Sequence, residues 1–147
     1  MRSVQEVSEL VHSRGGKLTP QRLLIYQMLE GNTQHPTAEA IHERVREVMP
    51  TVSLTTVYKT LNELVHAGEL KRFDVDGVSH FDPNTAPHGE AVCLRCGLIV
   101  DVDHAAPNAA AEGKGFQVRS AALTFYGYCR ECAAMGVDSS CGGTRRD

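Results

Sequence analysis

No run of apolar residues in this 147-residue chain is long enough to cross a bilayer, and the opening Met1-Arg2-Ser3-Val4-Gln5 lacks the apolar core of a signal peptide. A membrane-spanning or exported protein is therefore set aside in favour of a soluble globular one in the cytoplasm. No internal repeat is present. An excess of positive charge is missing too. The net charge is -3, and residues 1–82 hold nine Lys/Arg against eleven Asp/Glu. Any nucleic-acid contact must come from a local arrangement of basic and polar side chains, helped by a second copy of the lobe. Cysteine is scarce for a disulfide scaffold. Four of the five cysteines form Cys-x-x-Cys pairs, which argues for a reducing compartment and metal binding, while Cys141 stands alone in a polar tail and reads as incidental.

The paired cysteines are the strongest signal. Cys93 and Cys96 form one knuckle, with Gly97 behind it letting backbone N–H groups turn toward the sulfurs, and Cys129 and Cys132 form the other. Four thiolates in two pairs suit a closed tetrahedral zinc site. The 32-residue gap between the knuckles leaves room for a small subdomain. Redox dithiols or a disulfide are the competing readings. The same stretch carries harder donors. His88 and Glu90 are one residue apart, so on a strand they face the same side, and Asp101 ends the apolar run Leu98-Ile99-Val100. Imidazole and carboxylate suit iron(II), manganese(II) or zinc(II). A solvated strand end with ordinary polar residues is the alternative.

Along the chain, Val4, Val7, Leu10 and Val11 recur at helical spacing before Gly15-Gly16. Thr19 caps a second helix with Pro20 at its first position, running to Leu29 and stopping at Gly31-Asn32. Gln34-His35-Pro36 is a connector, since a residue before proline is pushed away from the α region. Thr37 caps a third helix that places Ala38, Ile41, Val45 and Val48 on one face. Ser53 caps a fourth, with Leu54, Val57, Leu61, Leu64 and Val65 facing a core and Gly68 closing it. The segments Leu70–Phe73 and Val78–Phe81, joined by Asp76-Gly77, predict a hairpin. Helices followed by a short hairpin make a winged helix-turn-helix, in which the fourth helix enters the major groove. Thr55, Thr56, Tyr58, Lys59 and Asn62 on its outer faces, with Lys17 and Arg22 nearer the N-terminus, are the candidate DNA-contacting residues. A plain solvated helix face is the alternative.

Pro83 to Pro87 reads as a hinge between a DNA-binding domain at 1–82 and a second domain at 88–135. In that second domain, residues 90–103 predict two strands around the first knuckle. Ala105–Glu112 predicts a short helix, and Phe116–Ser120 and Leu123–Tyr128 lead into the second knuckle as strand. The open edges of such a small sheet would be covered by a second chain. Residues 136–147 read as a disordered tail. The fold class expected is α+β, a winged-helix lobe followed by a small α/β dimerisation lobe with a four-cysteine zinc site.

Leu18-Thr19-Pro20-Gln21-Arg22, His35-Pro36-Thr37-Ala38, the stretch from Val52 to Leu61 and the two knuckles with Gly97 and Gly127, in this order, give a chain that resembles the ferric uptake regulator family of metal-dependent repressors over roughly residues 4–135. The resemblance implies a homodimer on an inverted-repeat operator, with structural zinc held by Cys93, Cys96, Cys129 and Cys132. It also implies a regulatory metal at His35, Asp82, His88, Glu90 and Asp101. Aspartates at both 82 and 101 look like the peroxide-responsive members, in which iron(II) reacts with peroxide and the residues matching His35 and His88 are oxidised. Glu90 departs from the family, which has a second histidine there. Two histidines with three carboxylates favour manganese(II) or iron(II) over zinc(II) or nickel(II). Pro87, Gly89 and Ala121-Ala122 leave a further metal site of iron-uptake members without ligands. The function implied is a peroxide-sensing repressor and not an enzyme, with an iron- or manganese-uptake regulator as the alternative. Two readings from other classes compete: a metalloenzyme, for which no general base can be named, and a zinc-stabilised DNA-binding module without a sensing role.

Overall fold

The chain runs α1 (Val4–Ser13), α2 (Pro20–Leu29), α3 (Ala38–Val48), α4 (Leu54–Ala67), β1 (Lys71–Val75), β2 (Val78–Asp82), β3 (Gly89–Cys93), β4 (Ile99–Val102), β5 (Thr124–Gly127) and α5 (Arg130–Ala134). This computed structural model describes residues 1–103, 112–118 and 121–136. The helix expected at Ala105–Glu112 (save its last residue), Cys141 and nearly all of the expected tail fall outside those residues. The described chain divides into two compact units, Met1–Ala86 and Pro87–Asp147. None of its helices is long and apolar enough to cross a membrane.

In the first unit each helix begins where a side-chain oxygen can satisfy an orphan N–H. Thr19 accepts from the Arg22 N–H, Thr37 from Ala40 and Ser53 from Thr56. Ser3 does the same for α1 and is answered by the Glu6 carboxylate, a reciprocal capping box. Gly68 ends α4 in the left-handed conformation (φ +77°), where a side chain would be strained. The helices bury one face each. Val7, Ile25, Leu29, Ile41, Val45, Val57, Leu61 and Leu64 meet with Phe81 of the hairpin in one core. Each such side chain contributes about 1.5–3 kcal/mol relative to exposure. Val48 departs from the expected apolar face of α3. It is 63% exposed, because it lies in the last turn, one residue before the Met49 cap and beyond the reach of the core.

β1 and β2 pair antiparallel with Val75 opposite Val78, and Asp76 (φ +50°) and Gly77 (φ +81°) make the turn. Two consecutive positive φ values match the right-handed strand twist, which is why Asp-Gly serves there. Both strands run slightly further than expected, β2 as far as Asp82. On the other side of β2, Thr37 pairs with His80 as an isolated antiparallel bridge, and the Phe81 N–H donates to the Pro36 carbonyl at 3.0 Å. The His-Pro-Thr connector is thereby stitched to the wing. The resulting fold is a winged helix-turn-helix.

In the second unit β3 is the central strand, antiparallel to β4 and parallel to β5. Glu90 stands opposite Asp101 and Cys93 opposite Gly127. Phe116–Val118 departs from the expected strand: it is irregular, and Phe116 is 71% exposed. Gly113 and Gly115 ahead of it favour a turn over a ladder.

Candidate functional site

The end of β3 and the start of α5 converge on the four cysteines. Cys93 is the last residue of β3, and Gly97, at φ +71°, folds the chain back so that its N–H donates to the Cys93 carbonyl at 2.9 Å. Cys129 sits at the N-cap of α5 and Cys132 one turn inside it. The four sulfurs lie within 4.8 Å of one another, and the Cys96 and Cys129 sulfurs are 3.8 Å apart. A disulfide needs about 2.05 Å. Ligands at a zinc–sulfur distance of about 2.3 Å in a tetrahedron stand about 3.8 Å apart. All four thiols are free of disulfides. The Cys129 N–H, directed at the Cys93 sulfur, is the main cause that brings the Cys93 thiol down to about 6, whereas burial pushes the Cys132 thiol up to about 12. Thiols that resist ionisation in the bare cluster ionise against a cation. The cluster fits a structural zinc site.

The harder donors fall into two sets, one in each unit. In the first unit His35 and Asp82 are both buried, with His35 Nε2 3.9 Å from Asp82 Oδ1. Asp82 ends β2, and its Oδ1 also accepts the Asn84 N–H at 2.8 Å. In the second unit His88 Nε2 stands 3.6 Å from Glu90 Oε1 and 3.7 Å from Asp101 Oδ1. His88 precedes β3, Glu90 lies on it, and Asp101 is the cross-strand neighbour of Glu90 on β4. Carboxylates directly opposite on a ladder repel, which costs stability unless a cation lies between them. Separations of 3.6–3.9 Å exceed a good hydrogen bond yet suit donors of a shared ion. Buried imidazoles beside carboxylates are a fitting donor set for a divalent first-row metal.

The segment Gln34-His35-Pro36 is a connector, as expected, and within it the His35 backbone is left-handed at φ +49°. Histidine visits that region more readily than most residues, at a cost of about 1–3 kcal/mol.

Thr55, Tyr58 and Lys59 lie exposed on α4 and Thr56 and Asn62 are half-buried, while Thr60, on the inner side, is buried and donates to the Thr56 carbonyl at 2.8 Å. Two candidates carry attachments that the sequence did not signal. Arg22 is held by the Glu63 carboxylate at 2.6 Å and the Lys17 carbonyl at 3.0 Å. The Tyr58 hydroxyl donates to Glu39 Oε1 at 2.7 Å, which raises the Tyr58 pKa and lowers that of Glu39. Glu39 is 19 residues away on α3, and no local pattern links the two.

The ferric uptake regulator family model matches residues 13–126. The peroxide operon regulator of Bacillus subtilis is 34% identical over 135 residues, covering 88% of this chain and 93% of that protein. Among solved structures, the ferric uptake regulator of Vibrio cholerae is 28% identical with a TM-score of 0.70, covering 82% of this chain and 98% of its own. The PerR protein of Streptococcus pyogenes, described as sensing peroxide, is 26% identical with a TM-score of 0.53 over 90% of this chain and 94% of its own. With a four-thiol cluster and a winged helix-turn-helix already in place, these matches show that the chain belongs to the ferric uptake regulator family of metal-responsive transcription regulators.

Proposed function

We propose that this protein is a peroxide-responsive repressor whose regulatory ion takes His35 and Asp82 from the first unit together with His88, Glu90 and Asp101 from the second. The observation that carries the reading is the make-up of the two donor sets: each holds a buried imidazole with an aspartate at 3.7–3.9 Å, without sulfur. The likeness to a peroxide operon regulator over 88% of the chain supports it. Residues 1–82 bind DNA, 83–87 serve as the hinge, and 88–135 form the dimerisation and metal-binding domain. Two copies set their recognition helices at half-site spacing on an inverted repeat. On DNA, Thr55, Thr56, Lys59 and Asn62 bond to phosphates and bases, Lys17 and Arg22 contact the backbone, and the Tyr58 ring packs on a thymine methyl.

When bound, iron(II) supplies the electrons that reduce peroxide, whereas manganese(II) gives them up less readily. His35 and His88 hold their share of the donor set as neutral imidazoles, and Asp82, Glu90 and Asp101 offset the charge. Oxidation of either imidazole weakens a donor, the two sets are no longer held in common, and the DNA-competent state loses its bias. Mass spectrometry after peroxide exposure tests this. One added oxygen atom on His35 or His88 is expected in iron-loaded protein and not in manganese-loaded protein. Unmodified histidines, with the iron form still on DNA, sink the peroxide reading.

Glu90 favours the second reading, an iron- or manganese-uptake regulator without peroxide chemistry. A third carboxylate suits a hard ion held reversibly for its own sake. Metal-dependent DNA binding indifferent to peroxide identifies that case.

A further inference from the structure

The left-handed backbone of His35 is kept in place by the wing. His80 Nδ1 lies 2.7 Å from the His35 carbonyl. A carbonyl only accepts, so Nδ1 carries the proton and donates. Two neighbouring contacts extend the attachment: Phe81 N–H to the Pro36 carbonyl, and the Thr37–His80 bridge. The His80 ring is itself fixed. It stacks on Phe73, its cross-strand partner, with centroids 5.8 Å apart and 21° between planes. Phe73 in turn meets the His35 ring edge-on, with centroids 5.7 Å apart and planes at 73°. Backbone and imidazole of His35 are thus both set by the pair Phe73–His80, the first through a hydrogen bond and the second through a ring edge.

From this we infer that His80 is a positioning residue of the regulatory centre. It holds His35 in the one backbone conformation that aims its imidazole at Asp82. The inference rests on the reading of His35 as a ligand. Groups that orient a ligand without touching the metal commonly govern affinity by about 10–100-fold, because an ion gains less from a ligand it must first reorder. Two features of His80 do separate work, the Nδ1–H donor and the ring that stacks, and substitution separates them.

The test uses the full chain with its zinc retained, titrated with manganese(II) and followed by the paramagnetic resonance of the free ion. His80→Phe keeps a ring and removes the donor, and it should weaken manganese(II) binding by about 10–100-fold. His80→Asn puts an amide donor near the Nδ1 position and should recover most of that loss. If the phenylalanine variant does not fold, as judged by zinc content and melting, His80→Leu takes its place. In the His35→Ala background, removal of the donor should cost nothing more. With metal absent, the His35 Cα and Cβ chemical shifts should leave the left-handed range in His80→Phe and keep it in His80→Asn. Manganese(II) affinity unchanged in His80→Phe, an asparagine variant as weak as the phenylalanine one, or losses that simply add to that of His35→Ala overturn the inference. A His35→Ala protein that binds manganese(II) like the parent sinks the ligand reading instead, a separate result.

Discussion

At the scale of single residues, function depends on side chains whose partners lie far away in sequence. Tyr58 presents its ring outward while its hydroxyl is tied to Glu39. If the ring reads an apolar base edge, Tyr58→Ala weakens specific operator binding by no more than about 1–3 kcal/mol and leaves non-specific binding nearly intact. Lys59→Ala lowers both and reduces the slope of log affinity on log salt by about one. Titrations on operator and scrambled duplexes at several salt concentrations separate the two, and equal losses on every duplex remove the base-reading role from Tyr58. Some of this was legible in the sequence. His88 and Glu90 follow from strand alternation, and the knuckles from their spacing. His35 and Asp82 did not: they lie far apart in the sequence, and only the resemblance paired them. The contacts of Glu39 and His80 were missed altogether, because such cross-element bonds leave no periodic trace.

Among the elements, α4 is the one whose ends matter most, since it carries the face proposed above to contact DNA. Its start depends on the Ser53 oxygen accepting the Thr56 N–H at 3.2 Å. Ser53→Ala should cost about 1 kcal/mol, and the melting midpoint of the first unit should fall by about 4 °C. Scanning calorimetry of parent and variant checks this; an unchanged midpoint means that packing alone holds the helix start. Leu61→Ala, fully inside the core, should cost more, about 2–5 kcal/mol. Helix starts were readable because a hydroxyl before an apolar run has one good use. The hairpin was readable because Asp-Gly supplies two positive φ values. Phe116–Val118 misled because an apolar-polar alternation says nothing about whether a ladder partner exists. Val48 misled because periodicity does not say where the core stops.

For the molecule as a whole, members of this family bind DNA and act as dimers. The second unit exposes Leu98, Val100, Phe125 and Tyr126, and β4 and β5 each form an edge of the sheet among the described residues. Phe125→Asp should shift the protein toward monomer in sedimentation and weaken operator binding with it; a dimer of parental stability places the contact elsewhere. Cys132→Ser should lose zinc and destabilise the second unit, because a structural site contributes folding free energy outright; metal analysis beside calorimetry shows whether both go together. The strand order adds a consequence for biosynthesis. β3 and β4 are neighbours in sequence and can zip as soon as both have emerged from the ribosome. β5 is synthesised much later and must find the far side of β3 in parallel. Closing the 32 residues between Cys96 and Cys129 costs about 3 kcal/mol of chain entropy before any ladder bond repays it. An ion already captured by Cys93 and Cys96 converts that search into the recruitment of two more thiolates. Zinc added during refolding is therefore expected to speed closure of the second unit and shorten its exposure to proteases, which pulsed proteolysis with and without zinc would read.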